Sequence, residues 1–204
     1  YEPETFRNLA KLFSKTALEV CEGQQYDVDF ETRNNVTILE YIKMIEYKTA
    51  VLLGAAMKMG AIVAKTSEEN KNLIYDFGLN LGIAFQLQDD YLDAFGNPKT
   101  FGKQVGGDII ENKKTYLYLK ALEFSDEETK QKLQQLFKEK PTNSEEKIVV
   151  VKDIFIKTNA ATATQKAIED YTYRAFETLE KLKISEDKKE LLKDFGLYLM
   201  QRNF

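Results

Sequence analysis

The stretch Phe85-Gln86-Leu87-Gln88-Asp89-Asp90-Tyr91-Leu92-Asp93 places three carboxylates in a segment that is otherwise mostly apolar. Between residues 77 and 95, these aspartates are the only charged side chains. In a helix Asp93 lies one turn from both Asp89 and Asp90, so the three carboxylates share one side. Like charges at this spacing are unfavourable, and more so away from water, unless a cation lies among them. The stretch therefore predicts a buried helix and a cation site.

The residue types around these aspartates indicate which cation to expect. The chain has no His, and oxygen ligands alone favour magnesium, calcium or manganese over zinc. The spacing Asp-Asp-Tyr-Leu-Asp lacks the alternating ligands and central Gly of an EF-hand loop. Magnesium combines one or two carboxylates with water and substrate phosphates. We therefore expect Asp89, Asp90 and Asp93 to bind Mg2+ together with a phosphate-bearing substrate; the alternative is a solvated acidic face.

Composition excludes several classes of protein. The 204 residues carry a net charge of -4 and no Arg-rich stripe, which argues against a nucleic-acid partner. Because His is absent, any general base must be another group or the substrate itself. The single Cys21 cannot form an internal disulfide, which fits a cytoplasmic protein. The most apolar run, residues 50–64, is too short to span a bilayer, so no stable membrane insertion is expected.

Helical periodicity runs through nearly the whole chain, which predicts an all-α fold in a single domain over residues 1–204. The first helix is expected at residues 6–22, ended by Gly23, and the next at 37–64. A third is expected from residue 66 to residue 95, and residues 147–157 are expected to be helical despite their Ile and Val content. One apolar stripe in the first helix contains Phe6, Leu9, Ala10, Phe13, Ala17, Leu18 and Cys21. Capping-box patterns occur at Thr37 with Glu40, Thr66 with Glu69, Ser125 with Glu128, and Asn143 with Glu146.

Several lysines could neutralise a diphosphate held by metal-bound carboxylates. Lys48 stands out because it interrupts an otherwise apolar stretch. Lys103 follows a Gly in a Gly-rich stretch, where the backbone could approach an anion closely. Lys113 and Lys114 come shortly afterwards, and for Lys114 an ordinary surface role is the favoured interpretation.

Taken in this order, these elements resemble the trans-isoprenyl diphosphate synthases, or polyprenyl synthetases. The matching pieces are Gly23-Gln24 with Asp27, Tyr41 before Lys48-Thr49-Ala50, residues 85–93, Gly102-Lys103, and Gly107-Asp108 with Asn112-Lys113. The central block resembles the second aspartate-rich motif of the family. The resemblance implies an isoprenoid-synthase-type helical bundle around a central cavity, and usually a homodimer. It also implies condensation of an allylic diphosphate with isopentenyl diphosphate, assisted by Mg2+.

The resemblance also implies roles for single residues. Asp89 would ligate magnesium, with Asp90 and Asp93 assisting directly or through water. Lys48 and Lys103 would bind the allylic diphosphate, and Lys113 would add positive charge. Six further residues would be placed as follows: Thr49 and Gln86 along the reacting carbons, Phe85 against isopentenyl diphosphate, and Gln24, Asp27 and Asp108 in the metal and water network.

The chain departs from the family pattern before Gly23, where no first aspartate-rich motif is found. We therefore expect a C-terminal portion of a synthase, with N-terminal helices missing and no activity as this fragment alone; Arg202 resembles the terminal basic residue of the family. Two alternatives remain, a non-catalytic helical subunit that modulates a complete synthase and a terpene cyclase. The product chain length is not encoded in the recognised motifs. The apolar stripe of the first helix is expected to be either dimer interface or core.

Overall fold

The structure, a computed structural model, describes residues 2–97, 105–138 and 144–201. Within these ranges the chain is helical and contains no strand, which confirms the all-α prediction. The helices are α1 Pro3–Thr32, α2 Ile38–Ile45, a π-helical segment Glu46–Ala50, α3 Val51–Val63, α4 Glu68–Phe95, α5 Gly107–Ile110, α6 Tyr116–Phe124, α7 Glu127–Leu136, α8 Ser144–Lys157, α9 Ala160–Glu180 and α10 Glu186–Met200. None of these helices is long and apolar enough to cross a membrane.

The described residues fall into two compact units. The first contains residues 2–27, Ile42–Gln86 and Glu169–Gln201. The second contains Val28–Tyr41 and Leu87–Ile168. Helices α1, α2, α4 and α9 contribute residues to both, and the single domain over residues 1–204 stays a prediction.

The core of the first unit forms where α4 packs against α9 and the residues that follow it. Its buried apolar side chains recur at helical spacing on both elements, and they are Ile74, Phe77, Leu81, Ala175, Leu179 and Leu182. Burying a side chain of this size contributes about 1.5–3 kcal/mol, so this seam is a principal source of stability for the unit.

The second unit is organised around α8, which packs against α5, α6 and α7. Val151, Ile154 and Phe155 of α8 are buried. Their spacing is helical, so the prediction of a helix for the Ile- and Val-rich segment is confirmed. Helix α8 thereby becomes the support against which the short helix α5 rests.

One expectation for the first helix is wrong, and one of the two alternatives for its apolar stripe is excluded. Gly23 does not end it, because α1 continues to Thr32. The apolar stripe is not core either, because Phe6, Phe13 and Leu18 are 66%, 65% and 60% exposed. The buried positions of α1 lie on another face and include Thr5, Thr16, Gly23 and Phe30. The 3.6-residue period groups apolar residues on one face but does not say whether that face points inward.

The capping box at Thr37 and Glu40 is confirmed in full. Glu40 Oε2 accepts hydrogen bonds from the backbone N–H and the hydroxyl of Thr37, both at 2.9 Å. The Glu40 N–H in turn donates to Thr37 Oγ1 at 3.2 Å. Arg33 Nη2 adds an ion pair to Glu40 at 2.7 Å, which fixes the entry to α2.

The box predicted at Thr66 and Glu69 is wrong by one residue. Helix α4 begins at Glu68, and the N–H of Asn70 donates to Ser67 Oγ at 3.2 Å. Glu69 instead pairs with Lys183 at 2.7 Å. Two adjacent hydroxyl residues offer the same capping oxygen, so the sequence pattern alone does not choose between them.

The box predicted at Ser125 is also wrong by one residue. Asp126 caps α7 by accepting the Thr129 N–H at 2.8 Å, whereas the hydroxyl of Ser125 donates to the carbonyl of Ala121 at 2.6 Å. Asn143 lies outside the described residues, and so do Lys103 and Arg202.

Candidate active site

A π-helical segment at Glu46–Ala50 carries Lys48 and Thr49. The sequence predicted uninterrupted α-helix here, which is wrong. In the first unit, Gly23 of α1 lies directly against this segment: a Cβ added at Gly23 would be 2.2 Å from the backbone nitrogen of Lys48. Only a residue without a side chain permits this approach. Single π turns within α-helices occur frequently at functional sites, since the extra residue re-aims nearby side chains.

Both predicted residues of the π segment have polar partners in the first unit. Lys48 Nζ donates to Asp27 Oδ2 at 2.5 Å, with the side chains 33% and 23% exposed. Thr49 Oγ1 donates to Gln86 Oε1 at 3.1 Å. The structure thus brings together two pairs of the predicted residues, Lys48 with Asp27 and Thr49 with Gln86. Both pairs remain partly accessible to a ligand.

Two other predicted residues of the first unit are Gln24 and Phe85. Gln24 is exposed on α1, one turn before Asp27. Phe85 is partly buried on α4, immediately before Gln86. The roles that the resemblance assigns to them stay predictions.

In the second unit, the three aspartates of α4 differ in their surroundings. Asp90 is 8% exposed, and its Oδ2 accepts a short hydrogen bond from the hydroxyl of Tyr41. Asp89 and Asp93 are only partly buried. Asp90 is therefore held within the unit by Tyr41, whereas Asp89 and Asp93 lie nearer the surface of the helix.

Asp93 also supports the residues that follow α4. Its carbonyl oxygen accepts the N–H of Gly106 at 2.6 Å, and its Oδ2 accepts the N–H of Asp108 at 3.0 Å. Lys113 Nζ lies 3.0 Å from Asp108 Oδ1 and 3.1 Å from Glu111 Oε2. The predicted residues Asp93, Asp108 and Lys113 thus form one connected group.

Negative charge is concentrated in this group. Burial raises the pKa of Asp93 to about 6, with further contributions from the charges of Asp108 and Asp89. Burial also opposes the charged form of Lys113, but Asp108 and Glu111 outweigh it and raise the pKa of that ammonium. Burial, followed by the charge of Asp90, raises the pKa of Tyr41 well above 10.0, so its hydroxyl stays protonated as a donor. One lysine thus faces several carboxylates.

These surroundings fit magnesium bound with a phosphate ligand. Within the described ranges, no three acidic or Cys side chains are placed to hold a metal ion by themselves. Magnesium does not need such a cage, since it takes one or two carboxylates and completes its octahedron with water and phosphate oxygens. Asp89 and Asp93 supply hard oxygen donors and a surplus of negative charge, which is what such an ion requires.

The sequence did not identify two residues that contact the candidate site. Tyr41 entered only through the resemblance, and its hydrogen bond to Asp90 joins residues 49 positions apart. Lys147, whose ammonium donates to Asn112, is predicted from the sequence only as part of a helix. Lys114, for which the sequence favours an ordinary surface role, donates to the carbonyls of Phe30 and Glu31 at the end of α1.

Comparison with known proteins establishes the family of the chain. The polyprenyl synthetase family model matches residues 4–154. The chain belongs to this family. Among relatives of this polyprenyl synthetase, a short chain isoprenyl diphosphate synthase of Methanocaldococcus jannaschii is 41% identical over 136 residues, covering 67% of this chain and 41% of that protein. Another short chain isoprenyl diphosphate synthase, from Methanothermobacter thermautotrophicus, is 36% identical over 188 residues, covering 92% of this chain and 56% of that protein.

Solved structures resemble this polyprenyl synthetase over its whole length. A geranylgeranyl pyrophosphate synthase superposes with a TM-score of 0.94 at 52% identity, covering 100% of this chain and 63% of that chain. A geranylgeranyl pyrophosphate synthetase from Pyrococcus horikoshii Ot3 gives a TM-score of 0.90 at 32% identity, and the match covers 100% of this chain and 61% of that chain. The matches to the two relatives named above cover 41% and 56% of those proteins, so this chain spans about half of their length.

Proposed function

We propose that this polyprenyl synthetase takes part in prenyl transfer, condensing an allylic diphosphate with isopentenyl diphosphate to give a longer isoprenyl diphosphate. The observation that carries the proposal is the group of carboxylates at Asp89, Asp93 and Asp108, whose charges act on one another, with Lys113 as the lysine paired to Asp108 in the described part of the chain. Such a surplus of negative charge suits Mg2+ with a diphosphate. Relatives named as isoprenyl diphosphate synthases support the same chemistry.

Asp89 and Asp93 would hold the magnesium, and Asp90 would keep its place through Tyr41. When bound, magnesium neutralises charge on the diphosphate and makes it a better leaving group. Lys113 would add a donor beside Asp108, where it can contact a diphosphate oxygen. By resemblance, Lys48 and Lys103 would bind the allylic diphosphate.

The reaction breaks the bond between C1 and oxygen of the allylic substrate, and the electron pair leaves with the diphosphate. The alkene of isopentenyl diphosphate then attacks C1, and a proton from the adjacent carbon passes to the released diphosphate. Thr49 donates its hydroxyl hydrogen to Gln86, so the hydroxyl lone pairs remain directed elsewhere and can face an electron-poor carbon. This use of the substrate as base agrees with a chain that contains no His.

The binding half of the proposal is tested with Asp89→Asn and inorganic pyrophosphate. Calorimetry should detect pyrophosphate binding to the unsubstituted chain only when Mg2+ is present. Asp89→Asn should weaken pyrophosphate binding at least about tenfold. A loss of about this size is typical even when the substituted residue only hydrogen-bonds to a metal ligand. Asp153→Asn is the matched control, because Asp153 is exposed on α8 and pairs with Lys157. Equal binding by Asp89→Asn, or binding independent of Mg2+, would contradict the proposal.

Product analysis separates the alternatives. The full-length enzyme incubated with an allylic diphosphate and isopentenyl diphosphate should yield a longer isoprenyl diphosphate. A cyclic hydrocarbon would favour the terpene cyclase, and binding without any product would favour the non-catalytic subunit. The expectation that the 204-residue chain alone is inactive stays a prediction, which turnover by the purified chain would refute.

We further propose that the exposed stripe of α1 contacts a second copy of the chain. Phe6, Phe13 and Leu18 are all more than half exposed, and apolar patches of this kind mark interaction surfaces. The resemblance implies a homodimer, and light scattering on the purified protein should give twice the monomer mass. A monomer mass at all concentrations would contradict this.

Cys21, also exposed on α1, forms no disulfide, which supports the proposed cytoplasmic location.

A further inference from the structure

A buried lysine on α8 contacts Asn112, the residue before Lys113 of the candidate site. Lys147 is only 5% exposed, and within the described ranges no carboxylate pairs with it. Its ammonium donates to Asn112 Oδ1 and lies 5.2 Å from the centre of the Phe137 ring. A buried ammonium is costly unless its partners are fixed, so this lysine has a specific structural or functional use.

Asn112 lies at the end of residues 106–113, which we call the 106–113 turn. Its φ of 61° is in the left-handed region. Asn tolerates this conformation better than most residues, and the amide oxygen is then available to Lys147. The ammonium therefore holds a position where the backbone has an unusual conformation.

The residue after Lys147 contacts the other end of the same turn. Gly106 has a φ of 87°, and a Cβ added there would lie 2.7 Å from the side chain of Ile148. Lys147 and Ile148, adjacent on α8, thus contact both ends of the 106–113 turn.

The turn carries two residues of the candidate site, Asp108 and Lys113. The N–H of Asp108 donates to Asp93 Oδ2 at 3.0 Å, and Lys113 Nζ lies 3.0 Å from Asp108 Oδ1. The position of Lys113 therefore depends on the turn, since Lys113 directly follows Asn112 in the chain.

We propose that Lys147 is a positioning residue for the diphosphate site: through Asn112, and together with Ile148 against Gly106, it holds the turn so that Asp108 and Lys113 stay beside Asp93. This inference rests on the proposed function, because the ligand of the turn is taken to be the magnesium diphosphate. Lys147 itself does not contact the substrate. It acts by fixing the backbone that presents the residues which do.

The test combines Lys147→Met, Asn112→Gly and the double variant. Met keeps the length of the side chain without the donor, and Gly accepts the positive φ without the acceptor. Lys157→Met is the matched control, since Lys157 is exposed on the same helix and pairs with Asp153. Hydrogen exchange over the 106–113 turn is measured without ligand, and Mg2+-dependent affinity for pyrophosphate is measured by calorimetry.

In Lys147→Met, exchange in the turn should become faster and affinity should fall about tenfold, with no change in Lys157→Met. The double variant should lose no more affinity than the worse single variant, because both changes remove the same hydrogen bond. Unchanged exchange in Lys147→Met would overturn the inference, and so would faster exchange spread equally over α6 and α7. Absence of Mg2+-dependent binding in the unsubstituted chain would instead refute the proposed function and the role of Lys147 with it.

Discussion

The hydrogen bond from Tyr41 to Asp90 offers the sharpest test of how the aspartate cluster is supported. Tyr41 is 1% exposed and Asp90 8% exposed, so water cannot readily replace the hydroxyl if it is removed. The Tyr41 ring also packs against Tyr116, with centroids 6.1 Å apart. Tyr41→Phe keeps this ring contact and removes the donor to the carboxylate, together with the oxygen that accepts the backbone N–H of Tyr116.

The expected loss follows from the charge of the acceptor. Hydrogen bonds to charged groups contribute about 1.5–3 kcal/mol, and a buried carboxylate that loses a donor keeps the cost of its desolvation. We therefore expect Tyr41→Phe to lower the free energy of unfolding by about 1.5–3 kcal/mol. For a chain of this size, that corresponds to a fall of roughly 3–12 °C in the thermal midpoint.

Urea denaturation with matched thermal scans measures this effect. The midpoint should fall while the slope with denaturant stays constant, since the folded state buries the same surface. Tyr173→Phe is the control because Tyr173 is 69% exposed, and its effect should stay within about 0.5 kcal/mol. If Tyr41→Phe unfolds at the same urea concentration as Tyr173→Phe, the hydrogen bond does not stabilise the buried carboxylate and the reasoning is refuted.

Two further predictions concern Gly23 and Glu40. Gly23→Ala should lower the free energy of unfolding by about 1–3 kcal/mol, because the new Cβ would lie 2.2 Å from the Lys48 backbone nitrogen. Gly60→Ala is the control and should raise the free energy of unfolding by roughly 0.5–1 kcal/mol, because a Cβ added there has nothing within 4 Å. Urea midpoints that fail to move in opposite directions would contradict the close packing at Gly23. The hydrogen bond from Arg33, followed by those from Thr37, holds the pKa of Glu40 below 4.5, so its ionised form stabilises the fold above that range and this contribution is lost as the pH falls. Glu40→Gln should therefore lower the thermal midpoint at about pH 7 but hardly at about pH 3, and an equal loss at both values would exclude the charge as the cause.

The sequence predicted the elements whose cause is local. Asp89 and Asp93 lie on a helix as expected, because spacing and apolar flanks are both properties of neighbouring residues. The Thr37 and Glu40 box formed for the same reason. Where two short polar residues were adjacent, as at Ser125 and Asp126, the local pattern gave the right helix but the wrong cap.

Features that depend on distant contacts could not be predicted in this way. The π segment at Glu46–Ala50 has no sequence signal of its own, and the residue that accompanies it, Gly23, lies on another helix. The sequence offered an ordinary interpretation of Gly23 as a helix end, because glycine is common there. A glycine is required at position 23, but because the helix packs closely against the π segment there and not because the helix ends.

The position of Gly23 within α1 also changes what the glycine implies for the candidate site. A helix end would have left Asp27 in a loop, whose orientation toward Lys48 would depend on the loop alone. Because α1 continues to Thr32, Asp27 lies one turn after Gly23 on a rigid helix, and the backbone contact at Gly23 sets its distance from the π segment. The ion pair between Asp27 and Lys48 at 2.5 Å is therefore a consequence of the packing at Gly23. A larger residue there would move Asp27 away from Lys48 even though neither residue had been changed.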